Sequence, residues 1–348
     1  MAAQVSIMSD NGRDANGNLQ WFDAHLDLAM LAMLGRNMRG PAASAGGPDL
    51  PASITLTELA RGGVNRTLAT IFTETGGSDR RIGYPHGDGQ AAFVAGCKQL
   101  QVYRQWQVEG AMAVGSGASG LRAGLLIEGA DVIAQPEDLA WWASYGVVAV
   151  GMAWWHASRY AGGNGTPRDD ARAGLSALGV RLGQEIDRLG LVHDASHLAD
   201  RAFDELYEKA GGMVVASHSN CRGLMGDAAN QRHVTDAQIR AICARGGVVG
   251  LNLYSRFLDR SCETGGRTAV ERALDHVEHV CMLAGSHEHV GLGTDADGGF
   301  SAARLPQGID GPADYARLAE GLAARGWSDE QIGGFVRGNW LRIFPMLS

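Results

Sequence analysis

Thiols are scarce in this chain. Among 348 residues there are five cysteines, Cys97, Cys221, Cys243, Cys262 and Cys281, widely spaced and with no C-x-x-C pair. That excludes a disulfide framework and a thiolate zinc site, and leaves free thiols of a reducing compartment as the expectation. Long hydrophobic runs are missing as well: none approaches the ~18 apolar residues that a membrane span needs. Residues 1–19 are polar, with neither a basic n-region nor an apolar h-region. They read as a polar N-terminal extension, and a cytoplasmic location with no membrane partner is expected. Basic excess is absent too. The net charge of −8 argues against nucleic acid as the partner. The glycine runs contain no GxxxxGK[ST] pattern, so a phosphate loop is excluded.

What is present is alternation. Eight short β-like runs lie near 19–27, 65–72, 122–128, 147–154, 191–197, 212–218, 248–254 and 289–295. Helical patterns fall at 90–107, 136–144, 175–189, 200–210, 235–245, 268–284, 311–325 and 328–338. Within 175–189, Leu175, Leu178, Leu182, Ile186 and Leu189 recur at spacings of three and four and build one apolar face. Gly190 supplies a stop. Alternating strands and helices call for a parallel sheet covered by helices. Eight strands predict a closed (β/α)8 TIM barrel of the metal-dependent hydrolase type, one domain over 1–348, because closure removes both sheet edges. Residues 29–53 are the least patterned and read as an insertion or loop after the first strand.

The chemistry sits at the strand ends. Strand one ends Asp23-Ala24-His25-Leu26-Asp27, where a period of two puts His25 and Asp27 on one face. Strand three ends in Glu128, strand five in His197, strand six in His218 and strand eight in Asp295. In a parallel barrel these ends converge on the face where active sites of this fold lie. Three carboxylates and three imidazoles crowded together need cations to compensate them. They exceed the ligand set of one tetrahedral zinc and suit two metal ions about 3.5–4 Å apart.

Taken in order, Asp23-Ala24-His25-Leu26-Asp27, Ile127-Glu128-Gly129, Asp194-Ala195-Ser196-His197, Ser217-His218-Ser219-Asn220 and Gly293-Thr294-Asp295-Ala296-Asp297-Gly298 resemble the signature segments of the membrane (renal) dipeptidase family of zinc peptidases. The resemblance implies two Zn2+ ions or other divalent metals, with His25 and Asp27 on one, His197 and His218 on the other, and Glu128 bridging them. It implies that a hydroxide shared by the two ions attacks the peptide bond of a dipeptide, and that Asp295 handles the proton. It further implies that His156 touches the substrate and polarises its carbonyl, that Arg232 holds the terminal carboxylate with Arg222 as its rival, and that the chain forms a homodimer. Two segments depart from the family's wording: the surroundings of His156 become glycine-rich, and His233 follows Arg232 where the family more often has Asn. A binuclear amidohydrolase acting on a non-peptide amide or lactam, and a non-catalytic metal-binding barrel, are the competing readings.

Other motifs carry blander expectations. His287-Glu288-His289 precedes strand eight and belongs to the opposite mouth, as a solvated loop. His193 is expected to be a hydrogen-bonded core histidine. Asp23 and Asp297 fit hydrogen-bonding support of the ligands or of a turn, and Trp141-Trp142 and Trp154-Trp155 fit either the core or the substrate pocket.

Overall fold

The computed structural model describes residues 12–117, 120–227 and 230–348. Residues 1–11 of the expected polar extension lie outside the described residues. Eight barrel strands follow in chain order: β1 (Trp21–Leu26), β2 (Val64–Phe72), β3 (Arg122–Glu128), β4 (Val147–Gly151), β5 (Val192–Asp194), β6 (Val214–Val215), β7 (Val249–Leu251) and β8 (Val290–Leu292). All neighbours are parallel, in the order β7-β8-β1-β2-β3-β4-β5-β6. The circle closes between β6 and β7 through the single bridge Ala216↔Val249, where Ala216 N donates to Val248 O and Gly250 N to Ala216 O. The fold is the (β/α)8 barrel that the alternation predicts.

Its interior is filled in two layers of opposite character. At the N-terminal end, Phe22, Leu68, Leu126, Val192 and Val215 form a separate apolar cluster with Trp340 and Phe344. The last helix, Asn339–Ile343, plugs this end. Trp340 is fully buried and its indole N–H donates to Leu292 O at 2.9 Å. At the C-terminal end the side chains are polar. The register places Phe72, Glu128, Gly151 and Asp194 on one level around the barrel, so the carboxylates of β3 and β5 enter the same layer.

Outside, helices pack their apolar faces on the strands. In Ala177–Arg188, Leu182 and Ile186 are buried and Ser176 caps the first turn by accepting Gly179 N. Asp236–Ala244 begins with a capping box between Thr235 and Gln238. All five cysteines are free. No helix among the described residues is long and apolar enough to cross a membrane.

Two expectations need correction, and one short helix carries no signal in the sequence. Residues 29–53 are not simply a loop: Leu28–Met33 is a helix with Leu28, Ala29, Met30 and Leu31 buried. A further helix, Leu56–Arg61, is capped by Thr55, and its six residues are too short for a periodic signal. The helix expected at 328–338 runs on, through a wide turn at Gly334–Gly338, into the plug Asn339–Ile343.

Because Trp340 fills the lumen and satisfies its N–H there, Trp340→Ala is expected to cost about 3–5 kcal/mol of stability. Denaturant unfolding of the variant beside the wild type measures this, and a loss below about 1 kcal/mol would contradict the plug.

Candidate metal centre

The six residues expected at the strand ends do meet. Glu128 is the hub. His25 Nε2 lies 3.2 Å from its Oε2, while His197 Nε2 and His218 Nε2 lie 3.2 and 3.5 Å from its Oε1. The two nitrogens of His197 and His218 are 2.9 Å apart, and the rings of His25 and His218 stack with centroids 3.5 Å apart. His25, Asp27 and Asp295 form a second close group, with Asp295 Oδ1 4.0 Å from His25 Nε2. All six side chains are buried.

The strands deliver these residues less directly than the sequence suggests. β5, β6 and β8 stop short, at Asp194, Val215 and Leu292, so His197, His218 and Asp295 stand on the loops that follow. His197 and Asp295 have φ of 65° and 58°, the left-handed region that non-glycine residues rarely adopt. Such strain persists where surrounding structure enforces it, and it concentrates at functional sites. Gly298 closes over the carboxylates. A Cβ there would lie 2.1 Å from Asp295 Oδ1 and 2.9 Å from Asp27 Oδ2.

Polar side chains not singled out in the sequence hold the ring in place. Asn164 Oδ1 accepts from His197 Nδ1 at 2.8 Å, Thr70 donates to Asp27, and Asn252 Nδ2 donates to Asp295 Oδ2 at 2.9 Å. The Ser217 hydroxyl lies 2.8 Å from His218 Nδ1 and 3.3 Å from His25 Nδ1. Every Nδ1 of the three imidazoles is therefore anchored, and every Nε2 turns inward. His25 Nε2 is a buried nitrogen with no hydrogen-bond partner. This donor set, imidazole nitrogens and carboxylate oxygens aimed at common points, fits divalent metal.

A cavity of about 1050 Å³ opens above the ring. Arg232 lines it, buried, with its guanidinium 5.1 Å above Phe257 and donating to Ser219 Oγ and His218 O. Its rival Arg222 is turned away, paired with Asp200 at 2.6 and 2.9 Å. Asp49 and Glu74 line the cavity from the loops after β1 and β2. Arg256 and Arg260 line it from the loop after β7.

The structure does not bring His156 to the cavity. It is exposed, and its ring meets His86 edge-on at 5.7 Å. The reason lies in the backbone: Trp154 O and Trp155 O accept from Asn164 N and Gly165 N, which ties the turn down and swings His156 outward. Trp154 takes the wall instead, 6.0 Å from the His197 ring, with Trp155 at the mouth. Trp142 is core and Trp141 exposed. The blander expectations hold. His193 pairs with Asp187 at 2.7 Å, and His289 donates to Gly247 O near the opposite mouth. Asp23 accepts from Thr294 and from the amide of His25, and Asp297 pairs with Arg36 and accepts from Ser53 and Ile54.

The sequence profile of the membrane dipeptidases, peptidase family M19, matches residues 13–347. The chain belongs to the membrane dipeptidase family. Among relatives in this family's range, the uncharacterized protein in the pqqA 5′ region of Klebsiella pneumoniae is 32% identical over 209 residues, 59% of this chain and 74% of that one. Dipeptidase 3 of Rattus norvegicus is 31% identical over 172 residues, 49% of this chain but only 33% of the rat protein. Among solved structures, a metallo peptidase from Rhodobacter sphaeroides, liganded with a phosphinate mimic of L-Ala-D-Ala, superimposes with a TM-score of 0.78. It is 22% identical and covers 95% of this chain and 100% of its own. The probable dipeptidase PvdM from Pseudomonas aeruginosa also gives 0.78, at 18% identity, covering 94% and 95%. These two likenesses establish the shared fold.

In this membrane dipeptidase-family centre, protons stand in for cations when no metal is bound. Burial alone would lower the pKa of His25, but Glu128 and Asp27 outweigh it and lift it to about 10. Burial, reinforced by Asp27 and opposed by His25 and Arg232, pushes Asp295 up to about 8, and burial with Glu128 pushes Asp27 to about 6. Burial also disfavours the charged form of Glu128, yet His25 and His197 overcome this and hold it well below the usual carboxylate range. Groups with raised pKa values hold protons at neutral pH, and a cation must displace them. Metal affinity is therefore expected to rise with pH between about 6 and 8, and loading at pH 7 to release at least one proton. Zinc titration calorimetry in two buffers of different ionisation enthalpy measures the release; zero protons would refute this picture.

Proposed function

We propose that this chain is a dipeptidase that hydrolyses the peptide bond of dipeptides using two zinc ions. One observation carries the reading. The two oxygens of Glu128 face different imidazoles, Oε2 toward His25 and Oε1 toward His197 and His218, which is the arrangement a bridging carboxylate requires. His25 and Asp27 would hold one ion, and His197 and His218 the other. When bound, the pair supplies a water molecule deprotonated near neutral pH and polarises the scissile carbonyl.

The chain's own residues do the rest. Asp295 stands beside the position of His25 and Asp27, with Oδ2 fixed by Asn252 and Oδ1 toward His25. It is placed to take the proton of the attacking water and to deliver it to the leaving amine. Arg232 lines the cavity with a buried guanidinium, whose planar fork suits a substrate carboxylate. Asp49 and Glu74 across the barrel suit the free amine, so the cavity is polarised to match a zwitterion. With His156 outside the cavity, no imidazole from that loop polarises the carbonyl; Trp154 forms that wall and shields it from water.

The test is metal counting on purified protein together with hydrolysis of L,L and L,D dipeptides, L-Ala-D-Ala among them, beside cyclic amides. Two zinc ions per chain and turnover of dipeptides are expected; turnover confined to the cyclic amides would transfer the chain to the amidohydrolase reading. Asp295→Asn is expected to keep its zinc and lose at least about 100-fold in kcat, and loss of zinc in that variant would make Asp295 a ligand. Arg232→Lys is expected to raise KM for dipeptides with a smaller change in kcat. An unchanged KM would remove Arg232 from the substrate site.

A further inference from the structure

The lower face of the metal centre contains one hydroxyl with more work than any neighbour. Ser217 Oγ is fully buried beneath the stacked rings of His25 and His218 and lies within hydrogen-bond reach of Nδ1 of both. On its other side it donates to Asp194 Oδ2 at 2.5 Å. We propose that Ser217 is a positioning residue for both metal positions at once, fixing which nitrogen of His25 and of His218 faces the cations, and that Asp194 sets its direction. This rests on the two-metal reading of the site.

Asp194 Oδ1 receives two backbone donors, Ser196 N at 3.0 Å and Ser217 N at 2.8 Å, which makes Asp194 an acceptor and orients it rigidly. A serine hydroxyl has one proton and two lone pairs. Its proton goes to Asp194 Oδ2, so both lone pairs remain for N–H groups. His218 Nδ1 at 2.8 Å and His25 Nδ1 at 3.3 Å are the ring nitrogens in reach, and a ring nitrogen that bonds there presents a proton. Their Nε2 atoms are then the nitrogens left to offer lone pairs to cations held at Glu128. Ser196 Oγ, 3.3 Å from Ser217 Oγ, receives the His218 amide and is the one other hydroxyl in reach, able to donate to Ser217 or to accept from it.

The backbone holds this hydroxyl in register. Gly250 on β7 and Gly293, just past the end of β8, approach its carbonyl so closely that a Cβ on either would lie 1.8 Å from the oxygen. His25 and His218 belong to different metal positions in the proposed assignment. One hydroxyl therefore couples the two, whereas Asn164 serves His197 alone.

Two substitutions separate this role from plain packing. Ser217→Ala removes the acceptor from both imidazoles. Asp194→Asn keeps the shape, but its amide, with Oδ1 still receiving the two backbone donors, turns an N–H toward Ser217. The amide occupies one lone pair of the hydroxyl, and the hydroxyl proton turns to an imidazole Nδ1 or to Ser196 Oγ; at least one ring then loses the acceptor that keeps its proton on Nδ1, and that proton is free to move to Nε2, where the metal should bind. Zinc affinity is read by competition with a chromophoric chelator, and ring protonation by nitrogen-15 NMR of the histidines in the zinc-loaded protein. The wild type is expected to fill two positions with Nδ1–H on His25 and His218. Ser217→Ala is expected to weaken both positions by about 10–100-fold. Asp194→Asn is expected to weaken at least one, with a fall in Nδ1–H signal from His25 or His218. Wild-type affinity at either position in Ser217→Ala, or unchanged affinity and protonation in Asp194→Asn, overturns the assignment; the second variant preserves size and decides the matter if the first does not fold. A wild type that takes up no zinc overturns the metal centre itself, and is told apart from failure of the Ser217 role by that measurement alone.

Discussion

Glu128 sits where the charges of this barrel must balance. It brings a carboxylate to the end of an apolar strand, in a layer already holding Asp27, Asp295 and three imidazoles, all withdrawn from water. Coulomb repulsion among buried acids is tolerable only when positive charge lies between them. Without metal, the surrounding acids raise the pKa of His25, which favours a positive charge there, and burial raises that of Asp295, which removes a negative one. With metal, the same geometry releases protons. The centre thus exchanges one set of cations for another around a fixed anion, and Arg232, 4.0 Å from Asp295, adds a permanent one at its edge.

Holding six polar groups in such register costs backbone freedom. His197 and Asp295 adopt left-handed dihedrals, and the loops that carry them are fastened by Asn164 and Asn252 rather than by strand ladders. The apolar lower layer, with Trp340 and Phe344 at its base, supplies the rigid platform against which this strain is kept. Division of labour in the barrel is therefore vertical: burial of hydrocarbon below, electrostatics above.

Much of this was legible in the sequence. His25, Asp27, Glu128, His197, His218 and Asp295 stand out because a charged or imidazole side chain ending an apolar run is rarely accidental, and parallel topology sends all such ends to one mouth. The supporting residues were harder to see. Serine and asparagine are ordinary in loops, so nothing marks Asn164 or Asn252 until His197 and Asp295 are found beside them, and Ser217, though inside a signature segment, shows its role only next to the two ring nitrogens. His156 was misplaced for a related reason. Counting outward from a strand works only while the ladder lasts, and β4 ends at Gly151, after which the Trp154–Trp155 turn is set by its bonds to Asn164 and Gly165. The strand lengths failed likewise: the apolar runs continue past the last ladder pair of β5, β6 and β8, since burial, which the pattern reports, extends beyond pairing, which it does not.

The helical plug has a bearing on how the molecule is made. Trp340 and Phe344 lie within about 6 Å of Phe22, ring to ring, so the floor of the barrel joins its first strand to its last helix. These contacts, separated by more than three hundred positions, close a loop that spans most of the described chain, and the entropy of closing it opposes them. Until they form, the lumen is open at one end and β1 has no floor beneath it. Support of the mouth therefore depends on hydrocarbon packed at the opposite pole, brought there by the helix that carries Trp340.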